Sequence, residues 1–115
     1  MTQPEVGRIY QGDCIEIMHG WPDKCVDLIL TDPPYGVNVK YESYEDSKQN
    51  LKKMVIPLIE QCKRISHRTL LTCGITNMYM YPEPDVEPYS CLWKMSISCQ
   101  RARTYAYKHN SDGNI

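Results

Sequence analysis

The sequence predicts an α/β fold, in which strands and helices alternate along the chain and pack in layers. One observation is the short, mostly apolar run from Val26 to Thr31, which is typical of a strand in a parallel sheet covered on both faces. Another is the segment 47–65, whose apolar residues recur every three or four positions, as on one face of a helix. A further strand is predicted at 68–73. Such units connect by right-handed crossovers and bind ligands beyond the carboxyl ends of their strands.

Two elements are predicted before the apolar run. Residues 7–11 have the composition of a short first strand. Asp13, with Glu16 three positions later, forms a capping-box pattern that predicts a brief helix through about His19. The Asp13 carboxylate is therefore expected at the N-terminus of a helix.

The long helix is predicted to begin at Ser47. Pro57 lacks a backbone N–H, so we expect it to kink or split this helix. The next strand is ended by Gly74, and His67 is interpreted as a connector between helix and strand. The apolar stripe of the helix is expected to pack on the sheet and comprises Leu51, Met54, Val55, Leu58, Ile59, Cys62 and Ile65.

Past Tyr81 the sequence changes character. The acidic, proline-rich stretch 82–88 predicts a linker, which divides the chain into an N-terminal part at 1–85 and an aperiodic basic tail at 86–115. Only 92–97 alternates well enough there for a weak strand. Basic and aromatic residues interleave in this tail, which suits phosphate neutralisation and base stacking; a solvated, disordered or truncated segment is the alternative. They are Lys94, Arg101, Arg103 and Lys108 among Trp93, Tyr105, Tyr107 and His109.

Composition narrows the class of protein. The 115 residues are 42% hydrophobic, which permits a core, and with a formal net charge of -1 any nucleic-acid affinity depends on local charge. The six cysteines include no Cys-x-x-Cys pair, so reduced thiols and no metal site are expected. No apolar stretch approaches the thickness of a bilayer and no leader is recognisable, which predicts a soluble, cytoplasmic protein with no membrane partner.

The most informative motif is Asp32-Pro33-Pro34-Tyr35-Gly36, directly after the apolar run. It suits methylation of an exocyclic amine on adenine or cytosine, because acceptors must hold both N–H bonds to turn the delocalised lone pair toward the incoming carbon. The Asp32 carboxylate and the Pro33 carbonyl are the candidate acceptors. Pro34 restricts the conformation of Pro33, and Tyr35 offers a face on which an extruded base can stack. An ordinary turn is the alternative interpretation.

The residues Gly12-Asp13-Cys14 and the run from Trp21 to Gly36 resemble the opening of DNA amino-methyltransferases that act on N6 of adenine or N4 of cytosine. The resemblance covers residues 7 to about 85. It implies a partial Rossmann-like, S-adenosylmethionine-dependent methyltransferase sheet with flanking helices, and DNA as the substrate. It also implies that Asp13 lies near the adenosine of S-adenosylmethionine; the alternative role for Asp13 is the helix cap, and the two are compatible. The residues implied to hold the target amine are Asp32, Pro33, Pro34 and Tyr35.

One departure from the family pattern concerns the cofactor. The aromatic-x-Gly-x-Gly loop of the family has no counterpart, since no Gly-x-Gly occurs among the six glycines. The resemblance therefore implies that a missing C-terminal segment or a second chain completes the cofactor site.

Three further interpretations stay open. One is a catalytically inactive remnant, truncated near residue 86, which at most binds nucleic acid or a partner weakly. Another is a methyltransferase that acts on RNA or on protein glutamine, although Asp32 stands where glutamine substrates would favour asparagine. The third concerns the polar loop 37–46, which contains Tyr41 and Tyr44 and either closes over an extruded base or is an ordinary mobile loop.

Overall fold

A four-stranded mixed sheet forms the frame of the molecule. The structure, a computed structural model, describes residues 2–85, 89–94 and 101–109. The strands are β1 (Val26–Thr31), β2 (Ser66–Gly74), β3 (Tyr89–Lys94) and β4 (Arg101–Lys108); the helices are α1 (Cys14–His19), α2 (Lys48–Ile65) and a 3-10 helix at Ile75–Met80. The order is β1-β2-β4-β3, with β1 and β2 parallel and the other neighbours antiparallel. This mixed sheet with flanking helices is compatible with the predicted α/β class, whereas a Rossmann-like methyltransferase fold stays a prediction.

The longest helix lies where the sequence predicts it. The Ser47 hydroxyl accepts a hydrogen bond from the Asn50 backbone N–H at 3.1 Å and caps α2. Pro57 lies inside one continuous helix, so the predicted split is wrong. Because Pro57 is exposed, the carbonyl that it leaves without an intrahelical partner lies on the solvent side. The apolar stripe is confirmed as core, with Met54 partly buried and Leu51, Val55, Leu58, Ile59, Cys62 and Ile65 buried.

The β1 strand has the predicted bounds but not the predicted surroundings. Ile29 packs against the core, while Leu28 and Leu30 are 52% and 73% exposed. The expectation of cover on both faces is therefore wrong for the described residues. In the sheet order, β1 is an edge strand, with β2 as its one neighbour among the described strands.

The ends of two other predicted strands also differ. Residues 7–11 form no strand, so that prediction is wrong; the segment has no ladder partner among the described residues, and Ile9 is 94% exposed. The β2 strand begins at Ser66, two residues before its predicted start. His67 therefore lies inside a strand and is not a connector.

The largest difference lies beyond residue 85. Residues 101–108, expected in an aperiodic tail, form β4, which pairs with both β2 and β3. The Asp85 backbone N–H donates to the Ala106 carbonyl at 3.0 Å, and the Asp85 carboxylate accepts from the Lys108 N–H at 2.8 Å. The stretch 82–85 therefore contacts this sheet directly. Residues 86–88, 95–100 and 110–115 of the predicted linker and tail lie outside the described residues.

The aromatic residues of β4 belong to the core. Tyr107 is 1% exposed, and its hydroxyl donates to the Pro82 carbonyl at 2.8 Å. Tyr105 and His109 are also buried. The prediction that these three rings are available to stack bases is wrong, because Tyr105 and Tyr107 in β4 and His109 just after it are all buried. No helix in the described part of the chain combines the length and apolarity that crossing a membrane requires.

Raising the pH should destabilise this fold through Cys62. Burial raises the pKa of the Cys62 thiol from 9.0 to about 12, so the folded chain keeps a proton that the unfolded chain releases. The resulting stabilisation is complete below pH 9 and is lost as the pH rises toward 12. The free energy of unfolding, measured with urea at rising pH, should fall. Cys62→Ala should be less stable, but its free energy of unfolding should depend less on pH. If that free energy falls equally steeply with pH in both proteins, Cys62 is not the cause of the pH dependence.

Candidate active site

The predicted motif forms a turn at the carboxyl end of β1. Asp32 is exposed, Pro33 is buried, and Pro34 and Tyr35 are half-buried. Because β1 and β2 are parallel, their carboxyl ends meet at one edge of the sheet, and the pairing of Thr31 with Leu71 places the next residue of each strand side by side. The motif thus presents its carboxylate to solvent beside the end of β2.

Thr72 joins the two polar groups of this turn. Its hydroxyl donates a hydrogen bond to Oδ1 of Asp32, and it lies 3.5 Å from the Tyr35 hydroxyl, which donates to it. Within the described residues, no hydrogen bond reaches Oδ2 of Asp32 or the Pro33 carbonyl. The Asp32 carboxylate is therefore accessible to a ligand, whereas Pro33 is buried and its carbonyl has no hydrogen-bond partner among the described residues.

The Tyr35 ring packs against Gly74. A Cβ placed on Gly74 would lie 3.0 Å from Cγ and Cδ2 of Tyr35, so the ring rests directly on this glycine. Burial raises the pKa of the Tyr35 phenol to about 12, and the nearby Asp32 carboxylate acts in the same direction. The phenol consequently stays protonated at neutral pH and acts as a hydrogen-bond donor.

A buried carboxylate anchors the loop after the motif. Asp46 is 2% exposed, and its two oxygens accept hydrogen bonds from three backbone N–H groups. The donors are Gly36 at 2.7 Å, Val37 at 3.2 Å and Val39 at 3.0 Å. This arrangement ties the start of the loop 37–46 to its end.

An amide side chain fixes the motif from the other side. The Asn77 Nδ2 donates to the carbonyl oxygens of Tyr35 at 2.9 Å and Gly36 at 3.2 Å. Gly36 has a φ of 72°, and a Cβ there would come within 3.0 Å of both Asn77 and Leu51. Only glycine fits this position without strain. The turn is therefore built rigidly around the exposed Asp32.

Comparison with known proteins indicates the class. No family model matches the chain. Over 60 residues, 52% of its length, the chain is 35% identical to the type II methyltransferase M.BglII of Bacillus subtilis. Over 64 residues, 53% of its length, it is 30% identical to the type II methyltransferase M.BamHI of Bacillus amyloliquefaciens. The similarity is to methyltransferases. Since the matched segments are 16% and 15% of those proteins, the chain spans about one sixth of the length of these curated relatives.

This similarity supports a methyltransferase relationship and leaves the roles of individual residues as predictions. The structure brings Asp32, Pro33, Pro34 and Tyr35 together in one turn. Asp13 is placed elsewhere: its Oδ1 accepts from the Ile15 N–H at 2.9 Å and the Glu16 N–H at 3.4 Å. Its role as the cap of α1 is confirmed. Among the described residues, no hydrogen bond or ion pair joins Asp13 to the turn.

Three residues of the site have no sequence signal that singles them out. Thr72 is one polar residue within an otherwise strand-like segment, and Asn77 lies in the 3-10 helix that follows β2. Asp46 is one of several acidic residues in a polar loop. Each acts on the motif through a tertiary contact, so only the register of β1 on β2 and the path of the loop reveal it.

Two concavities lie in this part of the protein, one beside β1 and one at the loop 37–46. An apolar groove of about 260 Å³ is lined by residues of α1, β1 and α2, including Cys14 and Leu28, and by Gly12 before α1. The loop 37–46 encloses a second, open concavity of about 520 Å³, in which Tyr41 and Tyr44 meet edge to face with ring centroids 6.3 Å apart.

Proposed function

We propose that this chain provides the amine-binding site of a DNA amino-methyltransferase, which transfers a methyl group from S-adenosylmethionine to N6 of adenine or N4 of cytosine. The observation that carries the proposal is the exposed Asp32 carboxylate, oriented by Thr72 beside the half-buried Tyr35. Similarity to two type II methyltransferases supports the reaction class. DNA as the substrate rests on the family resemblance of the motif.

The turn has the groups that such a substrate requires. An exocyclic amine has two N–H bonds, which the free oxygen of Asp32 and the Pro33 carbonyl can accept. Holding both bonds turns the nitrogen lone pair out of conjugation, and the carboxylate stabilises the positive charge that develops on nitrogen during attack. Tyr35 stacks the extruded base, which contributes about 1–3 kcal/mol per base. This offsets part of the cost of extruding the base from its helix.

The described residues do not by themselves fit S-adenosylmethionine. The groove beside α1 is lined mainly by apolar side chains, whereas the cofactor carries an amine, a carboxylate and a sulfonium. Asp13 uses one carboxylate oxygen to cap α1, and the chain has no Gly-x-Gly loop to offer backbone N–H groups. We therefore propose that a further segment or a second chain holds the methyl donor. Asp13 is proposed to contribute its remaining oxygen to that site.

Binding of single-stranded DNA should depend on one exocyclic amine. The probes are oligothymidylates with a single central deoxyadenosine or deoxycytidine, and matched probes with deoxyinosine or deoxyuridine, in which a carbonyl replaces the amine. The chain should bind the amine-bearing probes about tenfold more tightly, because a carbonyl oxygen cannot donate to Asp32 and is repelled by it. Fluorescence anisotropy at fixed salt measures the difference.

The matched control is Asp32→Asn, which keeps the size of the side chain and offers an N–H₂ group. It should lose the preference for the amine, and its binding to plain oligothymidylate should not weaken, because the substitution removes a negative charge. Equal affinity of the unmodified chain for both members of each pair would overturn the proposed site. Preference for ribonucleotide probes of the same sequence would instead support the RNA alternative.

A further inference from the structure

We infer that Thr72 is a positioning residue, which fixes the Asp32 carboxylate for the amine and couples it to the ring on which the base stacks. This inference deepens the proposed function and rests on it. Thr72 lies next to the carboxyl end of β2, outside the motif, and its single hydroxyl contacts both Asp32 and Tyr35.

Thr72 orients the Asp32 side chain from outside the motif. Asp32 is exposed, and an exposed carboxylate without a partner samples several rotamers. The hydrogen bond from Thr72 engages Oδ1 and so leaves Oδ2 as the acceptor that faces a ligand. The restriction is present before the base arrives, so less side-chain entropy is lost on binding.

The position of Thr72 is itself well fixed. A β-branched side chain in a strand has few accessible χ1 rotamers, so the hydroxyl stays where the sheet places it. The neighbouring residues Leu71 and Cys73 are buried against the core, and Leu71 pairs with Thr31 in the parallel ladder. A rigid strand thus holds the hydroxyl, and the hydroxyl holds the carboxylate.

The same hydroxyl accepts from the Tyr35 phenol. Because the phenol is a donor, both hydrogen bonds run in the same direction: Tyr35 donates to Thr72, and Thr72 donates to Asp32. Movement of the Tyr35 ring therefore changes the orientation of the Asp32 carboxylate, which is the acceptor for the amine. One residue links the stacking contact to the amine contact, which is what simultaneous recognition of a base face and its amine requires.

The direct test measures the side chain of Asp32 in solution. Three-bond couplings between its Hα and Hβ protons should show one dominant χ1 rotamer in the unmodified chain. In Thr72→Val, which is isosteric but has no hydroxyl, the couplings should become averaged, while Thr72→Ser should retain the single rotamer. Averaged couplings in the unmodified chain, or unchanged couplings in Thr72→Val, would overturn the inference. The first of these outcomes needs no variant to fold.

A second readout measures the consequence for binding. Thr72→Val should weaken binding of the amine-bearing oligothymidylate about tenfold, as expected for loss of a hydrogen bond to a charged group, and should weaken binding of the carbonyl-bearing probe less, so that the preference for the amine falls. Thr72→Ser should restore the preference. Full preference in Thr72→Val would overturn the coupling of Thr72 to recognition.

The two readouts separate this inference from the proposed function. If the unmodified chain shows no preference for the amine but Asp32 is fixed and is released in Thr72→Val, the proposed function fails and the positioning of Asp32 by Thr72 stands. If the preference is present and Asp32 is already averaged, the proposed function stands and the inference fails. A structural role confined to the stability of the sheet would lower the unfolding temperature without changing the couplings.

Discussion

Asp46→Ala should destabilise the fold by roughly 2–4 kcal/mol and abolish the preference for an amine-bearing base. The substitution leaves the N–H groups of Gly36, Val37 and Val39 without their shared acceptor. Gly36 is buried, so its N–H cannot turn to water without opening the turn. The loss should appear in urea titrations as a lower midpoint, and in anisotropy as equal affinity for the paired probes.

Glu42→Ala is the matched control for this prediction. Glu42 is an exposed carboxylate in the same loop, so its removal changes the charge equally. Its effect on stability should stay within about 0.5 kcal/mol. Asp46→Asn should fall between the two, since its remaining oxygen can accept from Gly36 while its amide N–H₂ opposes the other donors. If Asp46→Ala is as stable as Glu42→Ala, the buried carboxylate does not anchor the loop.

Elements governed by local physics could be predicted from the sequence. The α2 helix follows from an apolar stripe of period 3.6 with Ser47 as its cap, and the α1 helix follows from Asp13. The β1 strand follows from a short apolar run that ends at the motif. The motif can be recognised because its two prolines restrict the backbone and its glycine permits a positive φ, whatever surrounds them. In each case the deciding interactions lie within a few residues along the chain.

Features governed by distant contacts could not be predicted in this way. The β4 strand, which carries the buried Tyr105 and Tyr107, is stabilised by pairing with β2 and β3 on either side. The exposure of Leu28 depends on which elements cover the sheet, and an apolar run does not say whether the cover is present. Thr72 and Asn77 reach the motif from 37 to 42 positions away along the chain. The sequence does not reveal which group a hydroxyl or an amide binds, because that depends on the register of the strands.

The support of the Tyr35 ring by Gly74 leads to the other prediction with a large effect. Gly74 has a φ of -68°, which alanine adopts without strain, so the backbone itself permits the substitution. In open space, Gly→Ala would stabilise the chain by about 0.4–1 kcal/mol by restricting the unfolded state. Here the added Cβ would lie 3.0 Å from the ring, and the ring must move. Gly74→Ala should therefore destabilise the fold by roughly 1–3 kcal/mol and weaken base binding.

Removing Tyr35 as well tests whether contact with its ring is the reason that Gly74→Ala destabilises the fold. In a Tyr35→Ala background the Cβ meets no ring, so Gly74→Ala should change from destabilising to neutral or stabilising, a coupling of about 0.5–3 kcal/mol in a double-mutant cycle. Gly20→Ala is the control, because its Cβ would meet only the Ile17 carbonyl at 3.5 Å, an ordinary contact. Urea unfolding of the four proteins of the cycle measures the coupling. If Gly74→Ala costs the same with and without the ring, Gly74 does not support Tyr35, and the ring is free to leave the position in which it would stack a base.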